Sequence, residues 1–206
     1  GGQPPIIVSH DYHLYLMPKH VREEIPDAII QHFVHIPWPT PRYWQMVPVY
    51  IIREICDSLC SADLVGFQTP QDRESFLDTV EEFLPEAEAD RREHLVRRDG
   101  QTTGVNVYPI SIDVAEVQRI ARSPRALDYE EKLRPLLNDT TIVRVDRAEP
   151  NKNVVRGFKA YDLLLSRHPE LHGKVTFLAF LVLSRTHIRQ YQRYMDEIQQ
   201  LIDQIN

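Results

Sequence analysis

The chain has 206 residues, 42% of them hydrophobic, and a formal net charge of −6 at pH 7. That length suits one large domain or two small ones with a substantial core. The net negative charge, with no basic stripe, argues against a general nucleic-acid-binding protein. No apolar run approaches the roughly 18 residues of a membrane-spanning helix, and no secretory signal is visible. We therefore expect a cytoplasmic protein that binds neither nucleic acid nor a membrane.

The two cysteines, Cys56 and Cys60, stand four residues apart in a helical pattern. Two cysteines are too few for a disulfide framework, and no second pair completes a zinc site. We expect two thiols in the core of a protein from a reducing compartment, and no metal ion.

Strand and helix patterns alternate along the chain. Short apolar or β-branched runs predict strands near residues 6–9, 29–35, 63–67, 105–110, 141–145 and 175–182. Helical spacing fills the segments between them, and Asp99-Gly100 has the composition of a hairpin turn. This βαβα order predicts an α/β fold with mostly parallel sheets and helices on both faces.

Two consecutive helices follow Asp113 and separate two sets of alternating elements. Pro135 and Asn138 punctuate the join. We therefore assign residues 1–137 to one α/β domain with linker helices, and residues 138–206 to the first part of a second domain. Because the chain starts almost at once with a strand and stops in a helix, we expect both domains to continue beyond this sequence.

A strand, a short loop and a helix follow one another at the start of the second domain. Arg147 leaves the carboxyl end of the predicted strand, Asn151 can cap the next helix, and helical spacing resumes at Val154 after Lys152. Ligands of open α/β sheets bind at this edge, and two cations beside a helix N-terminus form a site for an anion, most naturally phosphate. On these residues alone, a surface loop with two solvated cations is an equally good interpretation.

Polar residues also follow the first two strands. The carboxylate of Asp11 can accept hydrogen bonds from sugar hydroxyls, and His35 ends the next strand at the same edge. His32 and His35 are three apart on a strand, so they point to opposite faces and cannot easily share a metal ion. Trp38 offers a flat wall for a sugar ring, but ordinary packing is the simpler explanation of that residue. A turn rich in helix-capping groups is the alternative for Asp11.

A further cation, Arg185, follows the predicted strand at 175–182. Its alternative interpretation is a surface arginine beside a helix cap. If the carboxyl ends of the strands bind ligand, Asp11 and His35 of the first sheet should face Arg147 and Arg185 of the second.

Six motifs, in order and with matching rough spacing across nearly all of the chain, resemble the trehalose-6-phosphate synthase family. They are His10–Leu14, His35–Pro39, Ala62–Thr69, Tyr108–Asp113, Val145–Arg147 with Lys152, and Ser184–Arg185 with Tyr191 and Gln192. The resemblance implies a retaining glycosyltransferase of the GT-B arrangement, which has two Rossmann-like domains with parallel sheets. This chain would supply the rear of the N-terminal domain and the front of the C-terminal, nucleotide-sugar-binding domain.

The same resemblance implies an activity and roles for five residues. Members of the family transfer glucose from a nucleotide sugar to glucose 6-phosphate in trehalose biosynthesis and need no metal or other cofactor. The expected partners are therefore a nucleotide sugar and a sugar phosphate, with a homo-oligomer left open. By position in the motifs, Asp11 lies on the acceptor side and His35 contacts the donor sugar. Arg147 and Lys152 bind the diphosphate, and Arg185 contacts the acceptor phosphate.

One motif departs from the best-known family pattern, which has Leu-Asp-Tyr, one further residue, lysine and glycine. Here residues 148–151 read Ala-Glu-Pro-Asn before Lys152, and Asn153 stands in place of the glycine. This version is similar to a branch that includes validoxylamine phosphate synthases. A related pseudo-glycosyltransferase, or a glycosyl-phosphate synthase with another donor or acceptor, is therefore an alternative. A non-catalytic module of the same fold is a further one, although the retained site residues argue against it.

Overall fold

The computed structural model describes residues 2–206. The chain divides into two compact units, the first ending at Ile112 and the second running from Asp113 to Asn206. The two helices after Asp113 thus belong to the second unit, whereas the sequence pattern predicts a domain boundary after Leu137. Among residues 2–206, no helix combines the length and the apolar character needed to cross a membrane.

A six-stranded sheet forms the centre of the first unit. Its strands are β1 (Ile6–His10), β2 (Ile29–Phe33), β3 (Leu64–Phe67), β4 (Glu88–Asp90), β5 (Leu95–Arg98) and β6 (Gln101–Val107), in the spatial order β1-β2-β3-β6-β5-β4. β1, β2, β3 and β6 are parallel, as predicted, and β4 and β5 pair antiparallel. The predicted hairpin turn at Asp99-Gly100 joins β5 to β6, and both turn residues have positive φ.

The helices of the first unit bury one face of this sheet. They are α1 (Met17–Glu24), α2 (Pro41–Trp44), α3 (Val49–Leu59) and α4 (Pro70–Phe83). Ile30, Val65 and Phe67 pack from the strands against Ile52 of α3 and Phe76 of α4. The other face was predicted to be covered as well. Within residues 2–112, however, that face carries exposed apolar side chains on β1 and β2, at Ile6, Val8 and Ile29.

Both cysteines lie in this core. Cys56 and Cys60 are buried, free thiols, as predicted. Burial raises the pKa of the Cys56 thiol to about 12, because a thiolate is poorly solvated among apolar side chains. Both residues therefore act as small hydrophobic residues of the core.

Two parallel strands and four helices make up the second unit. The strands are β7 (Thr140–Arg147) and β8 (Val175–Val182), and the helices are α5 (Val114–Ala121), α6 (Pro124–Leu133), α7 (Val154–Arg167) and α8 (Arg189–Ile205). Arg147 pairs with Val182, so β7 and β8 end at the same edge. The core of this unit forms where Val154 and Phe158 of α7 meet Ile198 of α8.

Candidate functional site

Asp11 connects the carboxyl ends of β1 and β2. Its N–H donates to the carbonyl of Phe33 at 2.8 Å, and its Oδ1 accepts from the N–H of His35 at 3.3 Å. Asp11 has φ 66° and ψ 174°, a combination that costs a non-glycine residue roughly 1–3 kcal/mol and is concentrated at functional sites. The structure thus brings the two predicted residues of the first sheet together at one edge.

The imidazole of His35 is held from two sides. Nδ1 of His10 lies 3.1 Å from Nε2 of His35, and the Phe33 ring meets the His35 ring edge-on with centroids 4.7 Å apart. One ring must donate and the other accept, so this contact requires at least one neutral imidazole. Both histidines are exposed, and a hydroxyl of a ligand can therefore reach them.

An open cavity of about 360 Å³ lies beside His10 on the uncovered face of the sheet. Phe33 and Tyr108 contribute aromatic walls to it, and Gly66 lies beneath both rings. A Cβ at Gly66 would stand 2.8 Å from a carbon of the Phe33 ring. Glycine is therefore needed for the close approach of the ring that supports His35.

His32 points to the opposite face, as predicted, and is 1% exposed. Its Nδ1 lies 2.8 Å from the hydroxyl of Ser9, and its Nε2 has no hydrogen-bond partner within residues 2–206. Burial, reinforced by His10, lowers the pKa of His32 to about 4, although the carboxylate of Asp11 opposes this shift. His32 is therefore a neutral residue of the core behind the site.

The buried His32 makes the first unit sensitive to acid. Its pKa is about 4 in the folded chain, below the ordinary value of 6.5. The unfolded chain therefore binds a proton first as the pH falls, and stability is lost between about pH 6.5 and pH 4, at up to about 1.4 kcal/mol per pH unit. The free energy of unfolding of the His32→Leu variant, measured in urea across this pH range, should depend less steeply on pH than that of wild type. The exposed His20→Ala variant is the control, and parallel curves for wild type and His32→Leu would contradict the assignment.

Trp38 belongs to the core, so the interpretation of this residue as a wall for a sugar ring is wrong. It is 3% exposed, and its indole N–H donates to the Thr79 hydroxyl at 3.0 Å. Its backbone N–H donates to the carboxylate of Asp72 at 2.9 Å. Aromatic rings surround the indole on several sides, those of Tyr15, Trp44, Phe67 and Phe76.

The cations of the second unit lie where β7 and β8 end. Arg147 is the last residue of β7; its side chain is 56% exposed, and its Nη1 lies 3.1 Å from Oε1 of Glu149. Lys152 lies in the turn before α7, with Nζ 4.0 Å from the carboxylate of Asp146. Because α7 begins at Val154, Lys152 lies in the turn directly before the N-terminus of a helix, where the backbone dipole favours an anion, and Arg147 ends the strand that leads into this turn.

Arg185 follows β8 at the same edge. Its φ of 49° is left-handed, and its Nη1 donates to the hydroxyl of Tyr191 at 3.1 Å while its guanidinium lies 5.6 Å from the centre of that ring. The side chain is exposed. The structure thus brings three of the predicted site residues, all cations, to the edge where β7 and β8 end.

A sequence profile of Glycosyltransferase family 20 matches residues 3–206, almost the entire chain. The chain belongs to this family. One of its curated relatives, a trehalose-6-phosphate synthase from Klebsiella pneumoniae, is 32% identical over 96% of this chain and 41% of the relative. The chain therefore spans less than half the length of the curated relatives it matches.

Solved structures of similar proteins share the fold. One from Escherichia coli, bound with UDP-2-fluoro glucose, has a TM-score of 0.80 and 30% identity over all of this chain and 45% of the other. An alpha,alpha-trehalose-phosphate synthase (UDP-forming) from Burkholderia vietnamiensis has a TM-score of 0.77 and 25% identity over all of this chain and 44% of the other. These similarities confirm the predicted resemblance and the α/β fold of the GT-B type.

The structure explains one departure from the usual motif of family 20. Asn153 occupies the position of the glycine and has φ 54° and ψ 35°. Asparagine is among the non-glycine residues that tolerate this left-handed conformation best, so the chain can form the turn without glycine. The predicted cap at Asn151 is wrong, because Asn151 lies in the turn and Asn153 precedes the helix without a side-chain cap.

Glu149 also lies in this region, although the sequence pattern does not indicate a role for it. It is 4% exposed, and its Oε1 contacts both Arg147 and the hydroxyl of Ser184. The sequence shows an acid between Ala148 and Pro150, but nothing in it indicates that the acid is buried.

Proposed function

We propose that the complete protein, including any residues outside these 206, is a retaining glycosyltransferase. It transfers glucose from a nucleotide sugar of the UDP-glucose type to glucose 6-phosphate and forms trehalose 6-phosphate. The observation that carries this proposal is the set of three cations, Arg147, Lys152 and Arg185, where two parallel strands end beside a helix N-terminus. Membership of glycosyltransferase family 20 supports it.

The proposed chemistry follows from where charge develops. As the bond between the sugar and the diphosphate breaks, negative charge builds on the leaving oxygen. Arg147 and Lys152 are proposed to bind the diphosphate, and fixed cations there stabilise the transition state more than the bound donor. The leaving group departs on the face where the acceptor arrives, so the reaction requires no nucleophile from the protein.

The remaining predicted residues are proposed to bind the sugars. The imidazole of His35 is held by His10 and Phe33 and can exchange hydrogen bonds with a hydroxyl of the donor sugar. The carboxylate of Asp11 can accept a hydrogen bond from a hydroxyl of the acceptor. Arg185 is proposed to bind the acceptor phosphate, because an exposed guanidinium can form paired hydrogen bonds with phosphate oxygens.

The proposal is tested by assaying the complete protein against a panel of nucleotide sugars with glucose 6-phosphate as acceptor. We expect trehalose 6-phosphate with the UDP sugar, detected by NMR of the product, and the same rate after treatment with a chelator, since we propose that no metal takes part. Residues 1–206 alone should give no turnover, because positioning supplies about 7–11 kcal/mol of a barrier and an incomplete site loses much of it. A complete protein that forms no glycosidic bond with any donor of the panel would contradict the proposal.

The second candidate is a related transferase with another donor or acceptor. The sequence of residues 148–151, Ala-Glu-Pro-Asn, favours it, since it is similar to the branch with validoxylamine phosphate synthases. The same panel separates the two candidates if it includes phosphorylated sugar mimics as acceptors. Turnover with such an acceptor and none with glucose 6-phosphate would favour the second candidate.

A further inference from the structure

Glu149 connects the loops that follow β7 and β8. Its Oε1 lies 3.1 Å from Nη1 of Arg147 and accepts a hydrogen bond from the hydroxyl of Ser184 at 2.7 Å. Its backbone is also engaged, since its N–H donates to the carbonyl of Arg147 at 2.8 Å and its carbonyl accepts from the N–H of Lys152 at 3.0 Å. One residue therefore contacts Arg147, Lys152 and the neighbour of Arg185.

A buried carboxylate in this place requires an explanation. Removing a carboxylate from water costs several kcal/mol. A buried carboxylate is therefore found where hydrogen bonds and ion pairs with its neighbours compensate for that cost and, in turn, fix the neighbours in place. Glu149 is 4% exposed, whereas the side chain of its partner Arg147 is 56% exposed. The rigid member of the pair is the acid, and the ion pair fixes the long arginine to it.

Fixing Arg147 matters for binding an anion. An arginine side chain loses about 2 kcal/mol of rotamer entropy when it is immobilised, and a site that holds the side chain in advance does not incur that cost when the ligand binds. A guanidinium has five N–H donors, more than the one carboxylate of Glu149, whose Oε1 lies 3.1 Å from Nη1 of Arg147, can accept from at once. Donors therefore stay free for a phosphate.

We propose that Glu149 is a positioning residue that holds Arg147 and, through Ser184, the turn that presents Arg185 to the phosphate groups of the ligands. This role rests on the proposed function, in which both arginines bind phosphate. Ser184 directly precedes Arg185, whose φ of 49° marks a tight turn, so the hydrogen bond from Ser184 to Glu149 fixes where that turn begins. One carboxylate thereby sets the positions of two cations on adjacent strands.

The direction of the effect on anion affinity separates positioning from simple electrostatics. Glu149→Gln keeps the shape of the side chain and removes a negative charge from the neighbourhood of the anion. Electrostatics alone would then tighten the binding of inorganic pyrophosphate. Loss of the ion pair instead frees Arg147, so positioning predicts weaker binding, by about 5- to 10-fold in Kd.

The experiment is calorimetric titration of the complete protein with inorganic pyrophosphate. Wild type, Glu149→Gln and the exposed control Glu131→Gln are compared, with circular dichroism and thermal melts as folding controls. We expect Glu131→Gln to match wild type and Glu149→Gln to bind more weakly. Equal or tighter binding by a folded Glu149→Gln variant overturns the positioning role alone, whereas a wild-type protein that binds no pyrophosphate overturns the anion site of the proposed function as well.

Ser184→Ala provides the second test and serves if Glu149→Gln does not fold. This variant keeps the carboxylate and its ion pair with Arg147, but releases the turn at Arg185. In the complete protein the KM for glucose 6-phosphate should rise about 5- to 10-fold, while the KM for the nucleotide sugar stays within about twofold. If the substitution only weakened the fold, kcat would fall without a selective rise in the KM for glucose 6-phosphate. Unchanged KM values for both substrates would overturn the proposed link between Glu149 and Arg185 through Ser184.

Discussion

Replacement of Arg147 or Lys152 by alanine in the complete protein is expected to lower kcat about 100- to 1,000-fold, with a smaller rise in the KM for the nucleotide sugar. The leaving diphosphate gains charge only as the bond to the sugar breaks, so a cation beside it acts mainly in the transition state. The magnitude is that of losing one preorganised stabilising group, about 10²–10³ in rate. Lys152→Arg should restore only part of the rate, because a planar fork does not replace a point charge on a flexible stem.

The competing interpretation treats both cations as solvated surface residues. It predicts a kcat within about twofold of wild type and a stability change of no more than about 0.5 kcal/mol for each alanine. Steady-state kinetics with thermal melts separate the two interpretations, and Arg167→Ala, an exposed cation in the last turn of α7, is the matched control. Wild-type kcat in both the Arg147→Ala and Lys152→Ala variants would end the proposal that they bind the diphosphate.

The parallel strands could be predicted because each is a short apolar run between turn residues. β3 and β8 are buried or partly buried along much of their length, so their sequences carry few polar interruptions. The Asp99-Gly100 hairpin was equally clear, since few other dipeptides suit two positive φ angles. β4 was not predicted. Its three residues, Glu88–Asp90, have no alternation and become a strand only through pairing with β5.

The features of the site also divide into those that the sequence predicts and those that it does not. Asp11, His35, Arg147 and Arg185 each follow a predicted strand, so their place at the sheet edges could be read from the chain order. The hydrogen bond between His10 and His35 could not be predicted, because these residues are 25 apart in sequence and meet only through the pairing of β1 with β2. Glu149 was missed for a related reason, since its partner Ser184 lies 35 residues away in sequence.

Trp38 shows why burial is hard to infer from one motif. A tryptophan between two prolines after a strand is compatible with a ligand wall or with a core residue. The rings that surround it come from the turn after β1, from β3 and from α4, and only the assembled sheet brings them together. The sequence alone therefore left both interpretations open, and the structure excludes the first.

Trp38→Ala is accordingly expected to lower the free energy of unfolding of the first unit by about 3–5 kcal/mol, the usual cost of deleting a large buried aromatic side chain. Trp38→Phe should cost less, about 1–2 kcal/mol, because it keeps a ring against Phe67 and Phe76 and loses the bond to Thr79. The Thr79 hydroxyl still donates to the carbonyl of Ser75, so it is not left unpaired.

Urea unfolding followed by the fluorescence of Trp44, the remaining tryptophan of the first unit, measures this change. The exposed Tyr43→Ala variant, in the same helix as Trp44, should stay within about 0.5 kcal/mol of wild type and controls for local disturbance of the probe. A residue that served as a sugar wall would give the opposite pattern, with wild-type stability and a raised KM for one of the two substrates. A loss of less than about 1 kcal/mol in Trp38→Ala would contradict the assignment of Trp38 to the core. The indole is 3% exposed, and the cavity left by deleting a side chain from so tightly packed a site lowers stability.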